Sequence, residues 1–232
     1  MKKLCAILIC IFCLLGFLPQ ISFAFPISGN GTLGSFTGYI DYSYTTDAAA
    51  ELTVELTNTS PVDNGGYITA FAFNNPFDSI TDVSLFSTDS DFVLLGGSSF
   101  DNSIGVMPYG DFDIGVSLSN KGNNPFQGGG NPQEGIGVGI TETFNFELTG
   151  TDLSNLIIQD FLDELSIGSA TDKSPTFFIA RFRGFNDGGS NKTPATPVVP
   201  EPATIALLGI GLAGLVGVGT RRKWKKKAVD KS

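Results

Sequence analysis

Histidine is absent from the 232-residue chain, and all three cysteines, Cys5, Cys10 and Cys13, sit near its start. Ser-His-Asp and Cys-His catalysis are therefore excluded for the remainder, as are zinc centres built on histidine or cysteine. Disulfides are excluded there too, and a body of this length can bury enough core without them. Basic residues are also scarce. Between positions 25 and 199 there are five (Lys121, Lys173, Arg181, Arg183 and Lys192) against 21 Asp and Glu. That part carries a formal charge of −16, against −9 for the whole chain. Such a surface repels nucleic acid and anionic membranes and favours solubility, so no nucleic-acid partner is expected. A nucleotide-binding glycine loop is missing as well: Gly128-Gly129-Gly130 runs into Asn131-Pro132 and reads as a turn. No cofactor is expected, and no internal repeat is visible.

What is present is concentrated first at the two ends. Met1-Lys2-Lys3 is a basic start, Leu4 to Phe17 is nearly all apolar, and Ser22-Phe23-Ala24 offers small residues for a signal peptidase. Residues 1–24 are expected to be a secretory signal peptide cleaved after Ala24. Cys13 lies inside the apolar run, away from that junction, so a lipoprotein start is rejected. At the other end, Ala203 to Thr220 holds no charge. At ~1.5 Å per residue such a helix spans ~27 Å, enough for a bilayer core. Six cations between Arg221 and Lys227 follow at once, and Arg221, Arg222 and Lys223 form the stop-transfer signal that keeps residues 221–232 cytoplasmic. Gly209, Ala213 and Gly217 recur every fourth residue and give the span one small-residue face. Before it, Pro200-Glu201-Pro202 fixes φ twice and bars regular pairing. Residues 186–199, rich in proline, glycine and threonine, read as a stiff spacer between body and membrane.

Pro200-Glu201-Pro202, the glycine-rich apolar span and the arginine-rich end together resemble the PEP-CTERM sorting signal, over about Val199 to Lys223. The resemblance implies processing by an exosortase, a membrane-embedded transpeptidase-like enzyme, at or near the tripeptide. It also implies a bacterium that makes exopolysaccharide, a precursor tethered in the inner membrane, and a final location at the cell surface or outside. Trp224 to Ser232 runs past the usual short basic end. The block Gly66 to Lys192, with Ala70-Phe71-Ala72-Phe73-Asn74-Asn75-Pro76, Gly135-Ile136-Gly137-Val138-Gly139 and Ala180-Arg181-Phe182-Arg183-Gly184-Phe185, resembles bodies of other PEP-CTERM proteins, for which no activity is assigned.

The body, residues 25–185, has a period-2 pattern. In Glu51 to Thr57, leucine and valine alternate with Glu and Thr; Asp111 to Leu118 and Thr143 to Thr149 repeat this. These are half-buried strands. Tyr67–Phe73, Val83–Phe86, Phe92–Leu95, Ile136–Ile140 and Thr176–Phe182 are further candidates. Turn formers such as Asp63-Asn64-Gly65-Gly66 and Asn74-Asn75-Pro76 separate them. A mainly β fold is expected: an antiparallel β-sandwich, jelly-roll-like, filled from a stock of 20 phenylalanines. One amphipathic helix is expected within Thr151 to Leu165, where apolar residues fall at 153, 156, 157 and 161 and Thr151 or Ser154 stands ready to cap.

Candidate chemistry rests on carboxylates. Asp111/Asp113, Glu142/Glu147 and Asp163/Glu164 are available as pairs for glycoside hydrolysis, but Asp111 and Asp113 share the polar side of a strand and read as solvated. Asp89, Asp91 and Asp187 lie in oxygen-rich loops and are candidate calcium ligands, without a complete calcium motif. Arg181 and Arg183 should face outward together and pair with nearby Asp or Glu, or meet an anionic sugar polymer. The expectation is a non-enzymatic, exported protein with a structural or adhesive role in exopolysaccharide. The alternatives are a secreted carbohydrate-binding module or a polysaccharide-acting enzyme that uses two carboxylates. The partners expected are the exosortase, signal peptidase, the membrane through the terminal helix, and exopolysaccharide.

Overall fold

A computed structural model describes residues 24–198, apart from 97, 98, 120, 122 and 123. The signal peptide, Pro200-Glu201-Pro202, the apolar span and the basic tail lie outside the described residues.

The chain forms two large antiparallel sheets. The first is built from β1 (Phe25–Asn30), β2 (Ser35–Thr46), β3 (Ala49–Asn58), β5 (Ile80–Ser87), β10 (Thr141–Gly150) and β13 (Thr196–Pro197), in the spatial order β13-β1-β2-β3-β10-β5. The second is built from β4 (Gly65–Phe73), β6 (Val93–Leu95), β9 (Ile114–Ser117), β11 (Phe178–Phe185) and β12 (Ser190–Pro194), in the order β12-β11-β4-β9-β6. A small pair, β7 (Ile104–Gly105) and β8 (Asp111–Phe112), stands apart from both.

The period-2 pattern does what elementary sheet geometry demands. On β3, Leu52, Val54 and Leu56 are buried, and on β10 Phe144, Phe146 and Leu148 are buried between exposed Asn145, Glu147 and Thr149. The register sets Phe146 opposite Leu52 and Phe144 opposite Val54, so apolar side chains meet apolar ones across the strands. The two sheets face each other over a phenylalanine core. Phe71 of β4 lies with its ring centroid 4.8 Å from Phe144 and 6.3 Å from Phe146 of the opposite sheet, while stacking at 5.5 Å on Phe178 beside it. Phe36 of β2 meets Phe178 and Phe182 at 5.9 and 6.5 Å. Such tilted and edge contacts between rings add to simple burial.

β4 and β9 are buried on both faces. Phe71 and Phe73 point into the main core, while Ala70 and Ala72 point outward into a second cluster with Leu95, Ile104, Val106, Phe112, Phe126 and Ile179. The β7-β8 pair and the short helix α1 (Pro125–Gly128) supply that cover. The Ala-Phe-Ala-Phe run suits this layering, because only a small outward side chain lets a cover approach the sheet closely.

Three expectations are corrected. The expected helix over 151–165 is a 3-10 turn at Leu153–Asn155, a break, and a six-residue helix α2 (Ile158–Asp163). The break lies at Leu156 and Ile157, whose backbones are extended. Ser154 is drawn away from a capping role to Asp47, at 2.7 Å, and the backbone N–H of Leu153 donates to the Asp47 carbonyl at 2.9 Å. Leu153, Leu156 and Phe161 reach the core as their spacing implied, whereas Ile157 is 60 % exposed. Asp111 to Leu118, expected as one strand, splits at Asp113 into β8 and β9, which belong to different sheets. Residues 186–199, expected as a spacer, carry β12 and β13 and close one side of the body. The Ala195 N–H donates to the Phe178 carbonyl at 2.9 Å, and the hydroxyl of buried Thr193 donates to the Gly34 carbonyl at 2.9 Å. Pro194 and Pro197 are tolerated there because β12 and β13 are edge strands, where a missing N–H breaks no ladder.

Candidate functional site

Both ends of the body arrive at one sheet edge. β1 begins at Phe25, directly after exposed Ala24, and is flanked by β2 and by β13. Ile27 pairs with Pro197 and Ser28 with Thr196; the Thr196 hydroxyl donates to the Ser28 carbonyl at 3.1 Å. The last bond before the chain leaves the body runs from the Val198 N–H to the Pro26 carbonyl, at 2.9 Å. The strand nearest the expected signal-peptide junction thus anchors the strand that leads into the sorting tripeptide. Neither Pro200, Glu201 and Pro202 nor Arg221, Arg222 and Lys223 lie among the described residues.

Three of the five cations between positions 25 and 199, Arg181, Arg183 and Lys192, collect on the outer side of the second sheet. Arg181 and Arg183 alternate on β11, and the β11–β12 register sets Arg181 directly opposite Lys192. Like charges placed so repel. None of the three forms an ion pair with a carboxylate among the described residues, against expectation. The Arg181 Nη1 donates to the Phe126 carbonyl at 2.8 Å and to the Gln127 Oε1 at 3.4 Å; the Arg183 Nη1 donates to the Gly129 carbonyl at 2.6 Å. The Lys192 Nζ donates to the Met107 carbonyl at 2.6 Å, in the turn that holds the cis Met107–Pro108 peptide. Arg181 is only 8 % exposed, and its Nε has no partner. Burial first, and then Arg183, pushes its guanidinium down to about 10. Burial and then Arg181 lower Lys192 as well. Covering loops with many carbonyls and no acid made this arrangement; composition alone favoured carboxylate partners.

Beside Lys192 a shallow depression of about 330 Å³ opens, lined by Pro108, Tyr109, Ser190, Asn191 and Lys192. The Lys173 ammonium stands 5.9 Å from the centre of the Tyr109 ring.

The carboxylates are rearranged relative to expectation. Asp113 is not solvated: it is 6 % exposed and accepts N–H bonds from Asn75 at 2.8 Å and Asn102 at 2.5 Å, pinning two loops. Burial raises it above the ordinary carboxylate value, against those two bonds. Burial also raises Glu164, with Asp113 and Asp78 adding to the rise. Sequence spacing could not join Asp113 to Glu164, because β10 of the opposite sheet and the 151–163 segment lie between them in the chain. Asp89 accepts from the Asp91 N–H at 2.9 Å and Asp187 from the Gly189 N–H at 2.8 Å, so both act as local turn acceptors. Among the described residues no group of three or more acidic side chains is arranged to hold a metal ion.

The raised carboxylates have a pH signature. Between 3.8 and the raised value of Asp113, the folded body keeps a proton that the unfolded chain has released. Stability therefore falls as pH rises through that window and is regained as pH falls through it. Asp113→Asn should flatten this part of the curve, as read by melting temperature of the full-length chain between pH 4 and 6. An unchanged slope would show that Asp113 does not titrate there.

Among the described residues no helix is long and apolar enough to cross a membrane, and the expected span at 203–220 falls outside them. No curated protein matches the chain. Residues 198–223 match the family profile of the PEP-CTERM protein-sorting motif, which starts at the residue where the body's last edge bond is made. The chain therefore carries a PEP-CTERM protein-sorting motif at residues 198–223, the kind of signal by which exported proteins are sorted by an exosortase.

Proposed function

We propose that this protein is a non-enzymatic, structural or adhesive component of an exopolysaccharide matrix, delivered by exosortase processing at Pro200-Glu201-Pro202. The observation that carries the reading is the sorting motif at residues 198–223, joined without a long spacer to a folded, acidic β body. In this reading the signal peptide ends at Ala24, residues 203–220 span the inner membrane, and the basic tail from Arg221 stays inside. The body is a jelly-roll-like sandwich in which β1-β2-β3 run as a meander and the later strands pass between the sheets. Asp113, the one buried carboxylate among the described residues, is engaged by two backbone N–H groups, which supports a structural reading over an enzymatic one.

The test is the intact mass and both termini of the protein recovered from membrane, cell-surface and medium fractions. Surface or medium protein should begin at Phe25 and lack residues 203–232. Surface material that still carries the intact tail would overturn the reading.

A further inference from the structure

We propose that the depression between the Val106–Gly110 turn and β12 is a binding subsite for a carboxylate-bearing sugar, a uronic acid residue of a polysaccharide, held by Lys192 next to Tyr109, with Lys173 over the Tyr109 ring as a neighbouring cation. The inference rests on the matrix role proposed above and names the ligand chemistry of one site within it.

Four observations support it. First, residues 25–199 carry 21 acidic residues, yet Lys192 is placed opposite Arg181 and forms no ion pair with a carboxylate among the described residues. A lysine present only to clamp the Met107 carbonyl needs no second cation facing it; a neutral donor would serve. Second, the ammonium has three N–H donors, and the recorded bond to Met107 uses one. Third, the lining combines a charge with a ring face and hydrogen-bonding groups. Tyr109 and Pro108 offer apolar surface, and Ser190 and Asn191 offer a hydroxyl and an amide. That mixture suits a sugar, which has apolar ring faces and polar rims, better than it suits a bare inorganic anion. A volume of about 330 Å³ is at the lower bound for small-ligand sites and suits one or two sugar rings. Fourth, Lys173, outside the lining itself, stands 5.9 Å from the centre of the Tyr109 ring and adds a positive group next to the depression. The body's formal charge of −16 sets the density of negative charge it tolerates in a partner. One carboxylate per sugar among neutral hydroxyls is admitted by a local cationic spot, whereas a densely sulfated chain is repelled by the rest of the surface.

The experiment uses the full-length chain in a neutral detergent. Binding is measured on surfaces coated with polygalacturonate, with its methyl-esterified form, and with dextran sulfate. Polygalacturonate should bind most tightly, and esterification, which removes the charge and keeps the sugar, should weaken binding roughly tenfold. Lys192→Met should lose about the same factor, while Lys192→Arg retains most of the affinity. Because Lys192 also holds the Met107 carbonyl, Lys173→Met provides an independent variant and should weaken binding about threefold. Lys121→Met should change nothing. Equal binding to the esterified polymer, unaltered binding by both Lys192→Met and Lys173→Met, or tighter binding to dextran sulfate would each overturn the subsite. Absence of binding to all three surfaces, with surface protein still correctly trimmed at both ends, would overturn the subsite and leave the matrix role standing. Retention of the tail on surface material strikes at the matrix role itself.

Discussion

Replacing Pro200 and Glu201 together by alanine is expected to trap the protein as an uncleaved precursor in the membrane fraction. The released or surface-transferred form should fall roughly tenfold or more, since loss of contacts worth ~1.4–3 kcal/mol in the processing step lowers turnover by that factor. A processing enzyme at the membrane needs an extended, unpaired substrate, and proline supplies this by fixing φ and removing a donor. The folded body reaches as far as Val198, whose N–H is held by Pro26, so little free chain separates it from the tripeptide. Alanines at 200 and 201 restore a donor and remove the carboxylate while leaving the apolar span intact. Pro197→Ala is the control: Pro197 lies in β13 opposite Ile27, outside the matched motif, and should leave processing unchanged. Blotting of fractionated cells, with intact mass of each form, reads the outcome. Normal tail loss in the double variant would refute processing at this tripeptide.

Phe71→Ala should destabilise the body by about 3–5 kcal/mol, the usual cost of truncating a buried phenylalanine. Phe71 has no exposed surface and touches Phe144 and Phe146 across the core and Phe178 alongside, so its removal leaves a cavity bordered by both sheets. Total stability of a domain is commonly about 5–15 kcal/mol, and for this size each kcal/mol moves the melting point by ~2–4 °C. The variant should therefore melt roughly 6–20 °C lower. Phe77→Ala is the contrast: Phe77 is 73 % exposed and should change stability by about 0.5 kcal/mol or less. Far-ultraviolet melting of the full-length chain in neutral detergent distinguishes the two. A Phe71→Ala melting point within 2 °C of wild type would mean that the two sheets do not share this core.

Where alternation ran beside polar partners, the strands could be read directly. β3 and β10 follow the Leu/Val and Phe positions of their segments because one face meets the core and the other meets water. Where a second layer covers a sheet, the same reading failed. Asp113 sits in a strand-like run with a polar side expected to be wet, but it is buried and held by the loops at Asn75 and Asn102. Arg181 shows the same effect: outward on its strand, as its spacing required, and then covered by the 126–130 segment. The 151–165 segment kept its core positions at Leu153, Leu156 and Phe161, but its helix is cut down to α2, because Asp47, far away in the chain, captured the first turn.

Composition and the chemistry of the two ends determined, without any coordinates, that the body lacks histidine and cysteine chemistry and that the chain carries a sorting signal. These are one-dimensional properties: charge, apolar run length and fixed φ act on the translocation and processing machinery in linear order. Tertiary structure alone decided that residues 190–198 are part of the body, that its two ends share a sheet edge, and that Arg181, Arg183 and Lys192 gather on one face. Each of those depends on pairing between segments distant in sequence, where the winning partner is set by register and burial across the whole fold.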